Sequence, residues 1–155
     1  MKSCTTFNEF VKDLSGFCVV AFCVEIGQGG AKVERLMPDG YLTTHVLDTA
    51  RGVPAQGMKI DLFRIDGDGW THLATKVTNA DGRTDGPILP ADEFRVGRYE
   101  LLFYVGDYLN ASGAAPEDPR FLNEVPIRFG ISDPASHYHV PLLISPFGFS
   151  TYRGS

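Results

Sequence analysis

Cysteine is scarce in this sequence and absent from most of it. Three cysteines, Cys4, Cys18 and Cys23, occur among 155 residues, and all three lie within the first 36. An odd number of cysteines at one end of a chain does not make a disulfide framework, and no histidine lies near them in sequence to complete a metal site. We therefore expect free, reduced thiols, which are typical of cytoplasmic proteins.

The sequence also lacks an apolar run long enough to cross a bilayer. Its longest run, residues 17–24, is far shorter than the roughly 20 residues of a transmembrane helix. Glu9 and Asp13 stand where a secretory signal peptide carries basic residues, and no small-residue cleavage site follows the run promptly. We expect no membrane partner, no secretory leader and a cytoplasmic location.

Blocks of like charge are missing as well, and the charge balance is mildly acidic. Lysine and arginine number 14 against 19 aspartates and glutamates, so the formal net charge is −5. This balance lacks the basic patch of a nucleic-acid-binding protein and favours a small-molecule or protein partner. Because 43% of the residues are hydrophobic, the chain can build one domain with a real core.

The composition changes near residue 37, and this change divides the chain. Residues 1–36 contain all the cysteines, carry balanced charges and end in the glycine-rich stretch 27–32. We expect them to form a flexible N-terminal extension that takes no part in the chemistry. Residues 37–155 are then the functional domain.

From residue 37 onward the pattern is that of β-structure. Apolar and polar residues alternate in short runs, and turns containing glycine or proline separate the runs. The tight turn 66–69 is of the kind that joins strands of a hairpin, and the chain is expected to turn again at 79–82. Regularly spaced strands indicate a β-sandwich, with short helical segments expected at 89–94 and around 121–122. The predicted strands are 42–47, 58–62, 70–77, 99–105, 125–131 and 137–144.

The last predicted strand and the tail beyond it are rich in aromatic and hydrogen-bonding groups. Alternate residues from Tyr138 to Ile144 are apolar and are expected to face a sheet core, which points His139 away from that core. The chain then ends in Tyr-Arg-Gly-Ser, residues 152–155, almost without a spacer. We expect this tail to be ordered and to lie beside His139.

Four histidines are the first candidates for chemistry: His45, His72, His137 and His139. A single histidine on a strand is most often structural or simply exposed. His137 and His139 share one face of a predicted strand, so they also suit a metal ion, which would need further ligands that the sequence does not offer in register. Arg83 follows a predicted turn and is, by itself, an ordinary loop cation.

Five stretches of the sequence form a recognisable set: Leu-Thr-Thr-His-Val-Leu-Asp at 42–48, Asn-Ala-Asp-Gly-Arg at 79–83, Gly-Arg-Tyr-Glu-Leu at 97–101, His-Tyr-His-Val-Pro-Leu-Leu at 137–143 and Ser-Thr-Tyr-Arg-Gly-Ser at 150–155. In this order they resemble the transthyretin-like family, and more specifically its enzymatic branch, the 5-hydroxyisourate hydrolases. The terminal Tyr-Arg-Gly-Ser is similar to the signature that separates these enzymes from the hormone-carrying transthyretins. The resemblance covers residues 37–155.

The resemblance implies an all-β fold, a sandwich of two four-stranded sheets with one or two short helical turns. It implies a homotetramer with sites in a channel between dimers, and no cofactor or metal. The catalytic residues that it implies are His45, Arg83, His139 and Ser155, and the substrate-binding residues are His45, Arg83 and Tyr152. Arg153 and Gly154 shape the terminal motif, while Phe147 and Phe149 stand where the family often has tyrosines.

The implied reaction is the hydrolysis of 5-hydroxyisourate to 2-oxo-4-hydroxy-4-carboxy-5-ureidoimidazoline in urate breakdown. Histidine titrates in the range needed to activate water. Arginine offers a rigid fork of donors for a developing oxyanion and for the edges of an imide. The charge of Arg83 is expected to keep His45 neutral, and therefore basic.

Two other functions remain open at the level of sequence. One is a carrier of the transthyretin type, which would bind a ligand in the same channel without the terminal motif or the histidines. The other is a sandwich that serves as an interaction module, which would not need His45, Arg83 and His139 together.

Overall fold

The structure, a computed structural model, describes residues 40–154. These residues contain two four-stranded β-sheets, one short parallel pair of strands and one helix. The predictions for the extension 1–36 and for Ser155 fall outside these described residues. In chain order the elements are β1 Leu42–Thr43, β2 Val46–Asp48, β3 Val53–Pro54, β4 Lys59–Asp66, β5 Gly69–Val77, β6 Gly97–Phe103, α1 Val105–Ala111, β7 Val125–Ile131, β8 Tyr138–His139, β9 Leu142–Ser145 and β10 Gly148–Thr151.

The first sheet has the strand order β5-β4-β6-β7 and is antiparallel throughout. Its β4–β5 hairpin closes through Gly67 and Asp68, with Asp66 opposite Gly69. Gly67 has a φ of 61°, a conformation that glycine adopts without strain at the first central position of a two-residue hairpin loop. The predicted hairpin turn at 66–69 is therefore confirmed.

The second sheet has the strand order β10-β9-β2-β3, and β1 pairs with β8 beside it. Both β1–β8 and β2–β9 are parallel, so the predicted strands 42–47 and 137–144 lie side by side, each interrupted once. Pro141 has no N–H to give to the ladder, and the hydroxyl of Thr44 donates to the carbonyl of Val140 at 2.8 Å. The single unbroken strands predicted for these segments were wrong in this detail.

The core lies between the two sheets, as predicted for a β-sandwich. The predicted inward side chains of the last strand, from Tyr138 to Ile144, are at most 5% exposed. Full burial of side chains of this size contributes about 1.5–3 kcal/mol each. The other buried apolar residues come from both sheets and their connections and include Leu42, Val46, Met58, Ile60, Leu62, Ile88, Leu89, Phe94, Tyr99, Leu101, Phe103, Ile127 and Ile131.

The helix lies in a different place from the predicted helical segments. α1 begins at Val105, directly after β6, and buries Val105, Tyr108 and Leu109, a spacing that matches one helical face. Residues 89–94 form a turn instead, because Leu89 exchanges backbone hydrogen bonds with Leu42. Residues 121–122 are not helical either.

Among residues 40–154, no helix has the length and apolar character needed to span a bilayer.

Candidate functional site

The candidate site lies on the outer face of the second sheet and its β1–β8 extension. Along the first segment, Leu42, Thr44 and Val46 are buried in the core, and the residues between them, Thr43 and His45, are half-buried on the opposite face. β8 presents His139 on that same outer face, because Thr43 and His139 are partners in the parallel register. The expectation that His139 points away from the core is confirmed.

Arg83 is brought to His45 by a loop that folds against β2. His45 and Arg83 form an antiparallel bridge, and the N–H of Val46 donates to the carbonyl of Gly82 at 2.8 Å. The side chain of Asn79 fixes the loop by accepting from the N–H groups of Asp81 at 3.0 Å and Arg83 at 3.2 Å. A loop tied at both ends holds its arginine in place.

Gly82 is required for this close approach. Its φ is +71°, and a Cβ at this position would collide with the carbonyl oxygen of Val46 and lie 3.2 Å from Cδ2 of His45. Only glycine avoids both the backbone strain and the clash. The Asp-Gly-Arg sequence therefore has a structural meaning, since its glycine lets the arginine reach the histidine.

His139 is oriented by a hydroxyl on the neighbouring strand. Oγ1 of Thr43 lies 2.9 Å from Nδ1 of His139 and 2.8 Å from Nε2 of His137. His137 in turn stacks on Tyr41 with ring centroids 4.3 Å apart. Because Nδ1 of His139 is engaged by Thr43, its Nε2 is the nitrogen available for a ligand.

The C-terminal tail pairs with the strand that carries His139. The N–H of Gly154 donates to the carbonyl of His139 at 2.8 Å, and a Cβ on Gly154 would lie only 2.8 Å from Cδ2 of that histidine. The guanidinium of Arg153 lies 4.1 Å above the ring of Tyr138. Tyr152 is 58% exposed. The structure thus places the tail beside His139, as the sequence predicted, up to Gly154.

The surroundings of both histidines favour the neutral imidazole. Burial, followed by the charge of Arg83, lowers the pKa of His45 below its usual 6.5, and a backbone hydrogen bond and the carboxylate of Asp81 oppose this shift in part. Burial also lowers the pKa of His139, followed by the charges of Arg83, His137 and His45. The expected effect of Arg83 on His45 has the right direction, although burial is the larger cause.

His45 also carries a ring nitrogen that the described residues do not satisfy. Its Nε2 is buried and has no hydrogen-bond partner within residues 40–154. A buried polar atom without a partner is costly and calls for an explanation. A neutral imidazole with an unpartnered nitrogen can accept a hydrogen bond from a polar ligand or from water, once such a group reaches it.

The two remaining histidines, His72 and His137, lie in different surroundings. His72 lies on β5 in the other sheet, where its Nε2 is 2.9 Å from Oγ1 of Thr75, so it takes no part in this face. No group of three histidine, cysteine, aspartate or glutamate side chains converges within residues 40–154, and His137 engages Thr43. Sequence reasoning missed Thr43 and weighed His137 only as a possible metal ligand. The alternation of Thr43 and His45 already placed the threonine on the same face.

The fold and the site together define a β-sandwich protein whose face of two histidines and one arginine suits hydrolytic chemistry. Residues 42–154 match the model of the HIUase/Transthyretin family. The chain belongs to this family, which confirms the resemblance found in the sequence.

Individual relatives agree with this assignment. The chain is 59% identical to 5-hydroxyisourate hydrolase 2 of Rhizobium meliloti (strain 1021), over 75% of this chain and 97% of the relative. It is 37% identical to the solved 5-hydroxyisourate hydrolase of Klebsiella pneumoniae, with a TM-score of 0.62 over 75% of this chain and 94% of that one.

Two further solved structures share the fold. An (S)-allantoin synthase is 49% identical, with a TM-score of 0.71 over 75% of this chain, which spans 44% of that longer chain. Sea bream transthyretin in complex with thyroxine is 28% identical, with a TM-score of 0.64 over 73% of this chain and 93% of that one. The transthyretin-like sandwich predicted from the sequence is confirmed.

Proposed function

We propose that this chain hydrolyses 5-hydroxyisourate to 2-oxo-4-hydroxy-4-carboxy-5-ureidoimidazoline, a step in urate breakdown. The observation that carries the proposal is the pairing of two histidines held neutral with Arg83 on one sheet face. Relatives named 5-hydroxyisourate hydrolase support the same reaction. One of them is 59% identical to this chain over 97% of its own length.

The reaction adds water to a ring carbonyl carbon and breaks the ring C–N bond. One imidazole takes a proton from water as the oxygen attacks, and the leaving nitrogen receives a proton as the ring opens, so the protein itself ends with the protons it started with. The new carboxylic acid then ionises at neutral pH and releases one proton to solvent. His45 and His139 are the proposed acid–base groups because both are held neutral beside an open face. Their low pKa values keep the basic form populated at neutral pH.

Arg83 is proposed to bind the substrate and stabilise the developing oxyanion. Its guanidinium offers several N–H donors in one plane, which suits both an imide edge and an alkoxide. The tail residues Tyr152 and Ser155 are proposed to complete the site, as binding and catalytic groups. The support for them is the pairing of Gly154 with His139, which brings the tail to the site.

The direct test is an ultraviolet absorbance assay that follows freshly made 5-hydroxyisourate with and without the protein. His45→Ala, Arg83→Ala and His139→Ala should each reduce turnover by about a hundredfold or more. His72→Ala is the matched control, because this histidine lies on the other sheet and should leave turnover unchanged.

Two results would contradict the proposed hydrolase function and these residue roles. A wild-type protein that binds the substrate or thyroxine without turnover would indicate a carrier like transthyretin. Alanine variants that aggregate, judged by circular dichroism and gel filtration, would mean that these side chains support the fold.

We also propose that the enzyme is a cytoplasmic homotetramer whose functional domain is residues 37–155. Both sheets have an open edge, at β7 in one and β10 in the other. Large aromatic side chains near β10 are exposed, with Phe147 at 69% and Phe149 at 47%. Open edges and exposed apolar groups of this kind suit association between copies.

A further inference from the structure

The hydroxyl of Thr43 lies between two imidazoles and contacts both. Its Oγ1 is 2.8 Å from Nε2 of His137 and 2.9 Å from Nδ1 of His139. Both distances are those of well-formed hydrogen bonds. His137 therefore sits behind His139, on the side opposite the Nε2 that is available to substrate.

A threonine hydroxyl has one proton to donate, so the two rings cannot play the same role toward it. If Nδ1 of His139 carries a proton and donates it to Thr43, then Thr43 donates to Nε2 of His137, and Nε2 of His139 is left as a base. If Nε2 of His137 carries the proton, the direction reverses and Nε2 of His139 becomes an N–H acid. The protonation of His137 thus sets the tautomer of His139.

The charges around the two rings differ. Arg83, His45 and His137 all disfavour an imidazolium at His139. His137 is half-buried, stacks on Tyr41 and lines a cavity of about 420 Å³ with Ser136, Arg153 and Gly154. Arg153, the charged residue in this lining, is an exposed side chain whose guanidinium is held over the ring of Tyr138, so solvent screens its charge.

We propose that Thr43 and His137 form a proton relay behind His139, which lets that histidine act as base and then as acid without holding the positive charge beside Arg83. This inference rests on the proposed hydrolase function. Thr43 and His137 act through His139, so they are positioning residues for it.

The relay conserves every proton. As water attacks the ring carbonyl, Nε2 of His139 takes its proton, Nδ1 of His139 passes its own proton to Oγ1 of Thr43, and Thr43 passes its hydroxyl proton to Nε2 of His137. The positive charge then resides on His137. When the C–N bond breaks, Nε2 of His139 gives its proton to the leaving nitrogen and the two inner protons return.

The first test compares two substitutions of Thr43. Thr43→Val keeps the shape but removes the hydroxyl, and it should lower kcat at least about tenfold with little change in KM. Thr43→Ser keeps the hydroxyl and should restore most of kcat. Thr49→Val is the control, because Thr49 donates to the carbonyl of Ile144 and does not contact the histidines. A Thr43→Val enzyme with the kcat of the wild type would overturn the relay.

The second test separates a relay from simple orientation. His137→Gln keeps a group that can hydrogen-bond to Thr43 but cannot take a proton, and His137→Phe keeps only the stacking on Tyr41. Both should lower kcat to a similar extent if His137 must hold the proton. Recovery of kcat in His137→Gln alone would mean that His137 only orients Thr43, and the relay would be rejected.

A third measurement does not depend on turnover. In 15N NMR of the histidine side chains, protonation of His137 should switch His139 from the Nδ1–H to the Nε2–H tautomer, and Thr43→Val should abolish the switch. If the tautomer of His139 stays the same when His137 is protonated, the relay is contradicted even in an active enzyme. Conversely, a switch in a protein without turnover would reject the hydrolase function and leave the coupling standing.

Discussion

At the scale of single residues, Arg83 has two effects that can be separated by experiment. Its charge lowers the pKa of both His45 and His139, and its guanidinium is proposed to bind the oxyanion. The first effect governs the pH range of the enzyme, and the second governs the rate at any pH.

Arg83→Met should therefore change the pH profile as well as the rate. Without the arginine charge, the pKa of each histidine rises toward 6.5, although burial still holds it lower. The acid limb of kcat/KM should move to higher pH, and kcat/KM at its plateau should fall about a hundredfold. Arg98→Met, an exposed arginine on β6, is the control and should shift neither. An acid limb that stays in place in Arg83→Met would show that burial alone sets the pKa values.

Sequence reasoning named part of this candidate site and missed another part for a physical reason. His45, Arg83 and His139 were found through a family pattern, and the structure brings them to one sheet face. The contact between Thr43 and His137 was missed because a hydrogen bond between residues 94 apart depends on strand register. Register between distant segments is fixed by packing and has no local sequence signal.

At the scale of elements, the tail and the histidine strand fit together only because residue 154 is glycine. Gly154→Ala would place a Cβ 2.8 Å from Cδ2 of His139, so the ring or the tail must move. Turnover should fall about tenfold to a hundredfold, with little change in melting temperature.

Gly148→Ala is the matched control on the neighbouring hairpin. Its Cβ would lie 3.6 Å from Oγ of Ser145, which is an ordinary contact. This variant should keep full turnover. If Gly154→Ala also keeps full turnover, the position of the tail does not matter for the chemistry.

The loop that carries Arg83 can be tested in the same way through Gly82. Gly82→Ala combines backbone strain at a φ of +71° with a collision against Val46, whereas Gly86→Ala has a φ of +86° and open space around it. Strain alone costs about 1–3 kcal/mol, so urea denaturation should show a loss for both variants and a larger loss for Gly82→Ala. Equal losses would mean that the close packing of the loop on β2 contributes nothing.

The elements that the sequence predicted well are those with local signals. The 66–69 hairpin follows from its turn residues and from alternation in the strands on either side. The parallel pairing of β2 with β9 has no such signal, because its partners are distant in the chain. α1 was missed because its first residue, Val105, continues the apolar run of β6, although Val105, Tyr108 and Leu109 already had helical spacing.

At the scale of the whole molecule, the division of the chain at residue 37 can be tested by deletion. A protein that starts at Met37 retains all the described strands and the site, so it should keep its turnover. Gel filtration with light scattering should give about four times the mass of one chain for both proteins, since the open sheet edges remain. A truncated protein that is soluble but inactive, or that is monomeric while the full chain is not, would show that residues 1–36 contribute to the active structure.

The parallel pairing of the site strands has a further consequence, for the order in which the molecule assembles from the unfolded chain. The hydrogen bond between Thr43 and His139 spans 96 residues. The pairings among β4, β5, β6 and β7 are less distant, since their farthest partners, Ile60 and Phe103, are 43 residues apart. Contacts between distant residues carry the largest loop-closure cost and tend to form late. In refolding from urea, far-ultraviolet circular dichroism should therefore recover before enzymatic turnover, and simultaneous recovery would contradict this order. Partly folded molecules would then have a complete antiparallel sheet but no catalytic ability, because the two ends of the domain must meet before the histidines do.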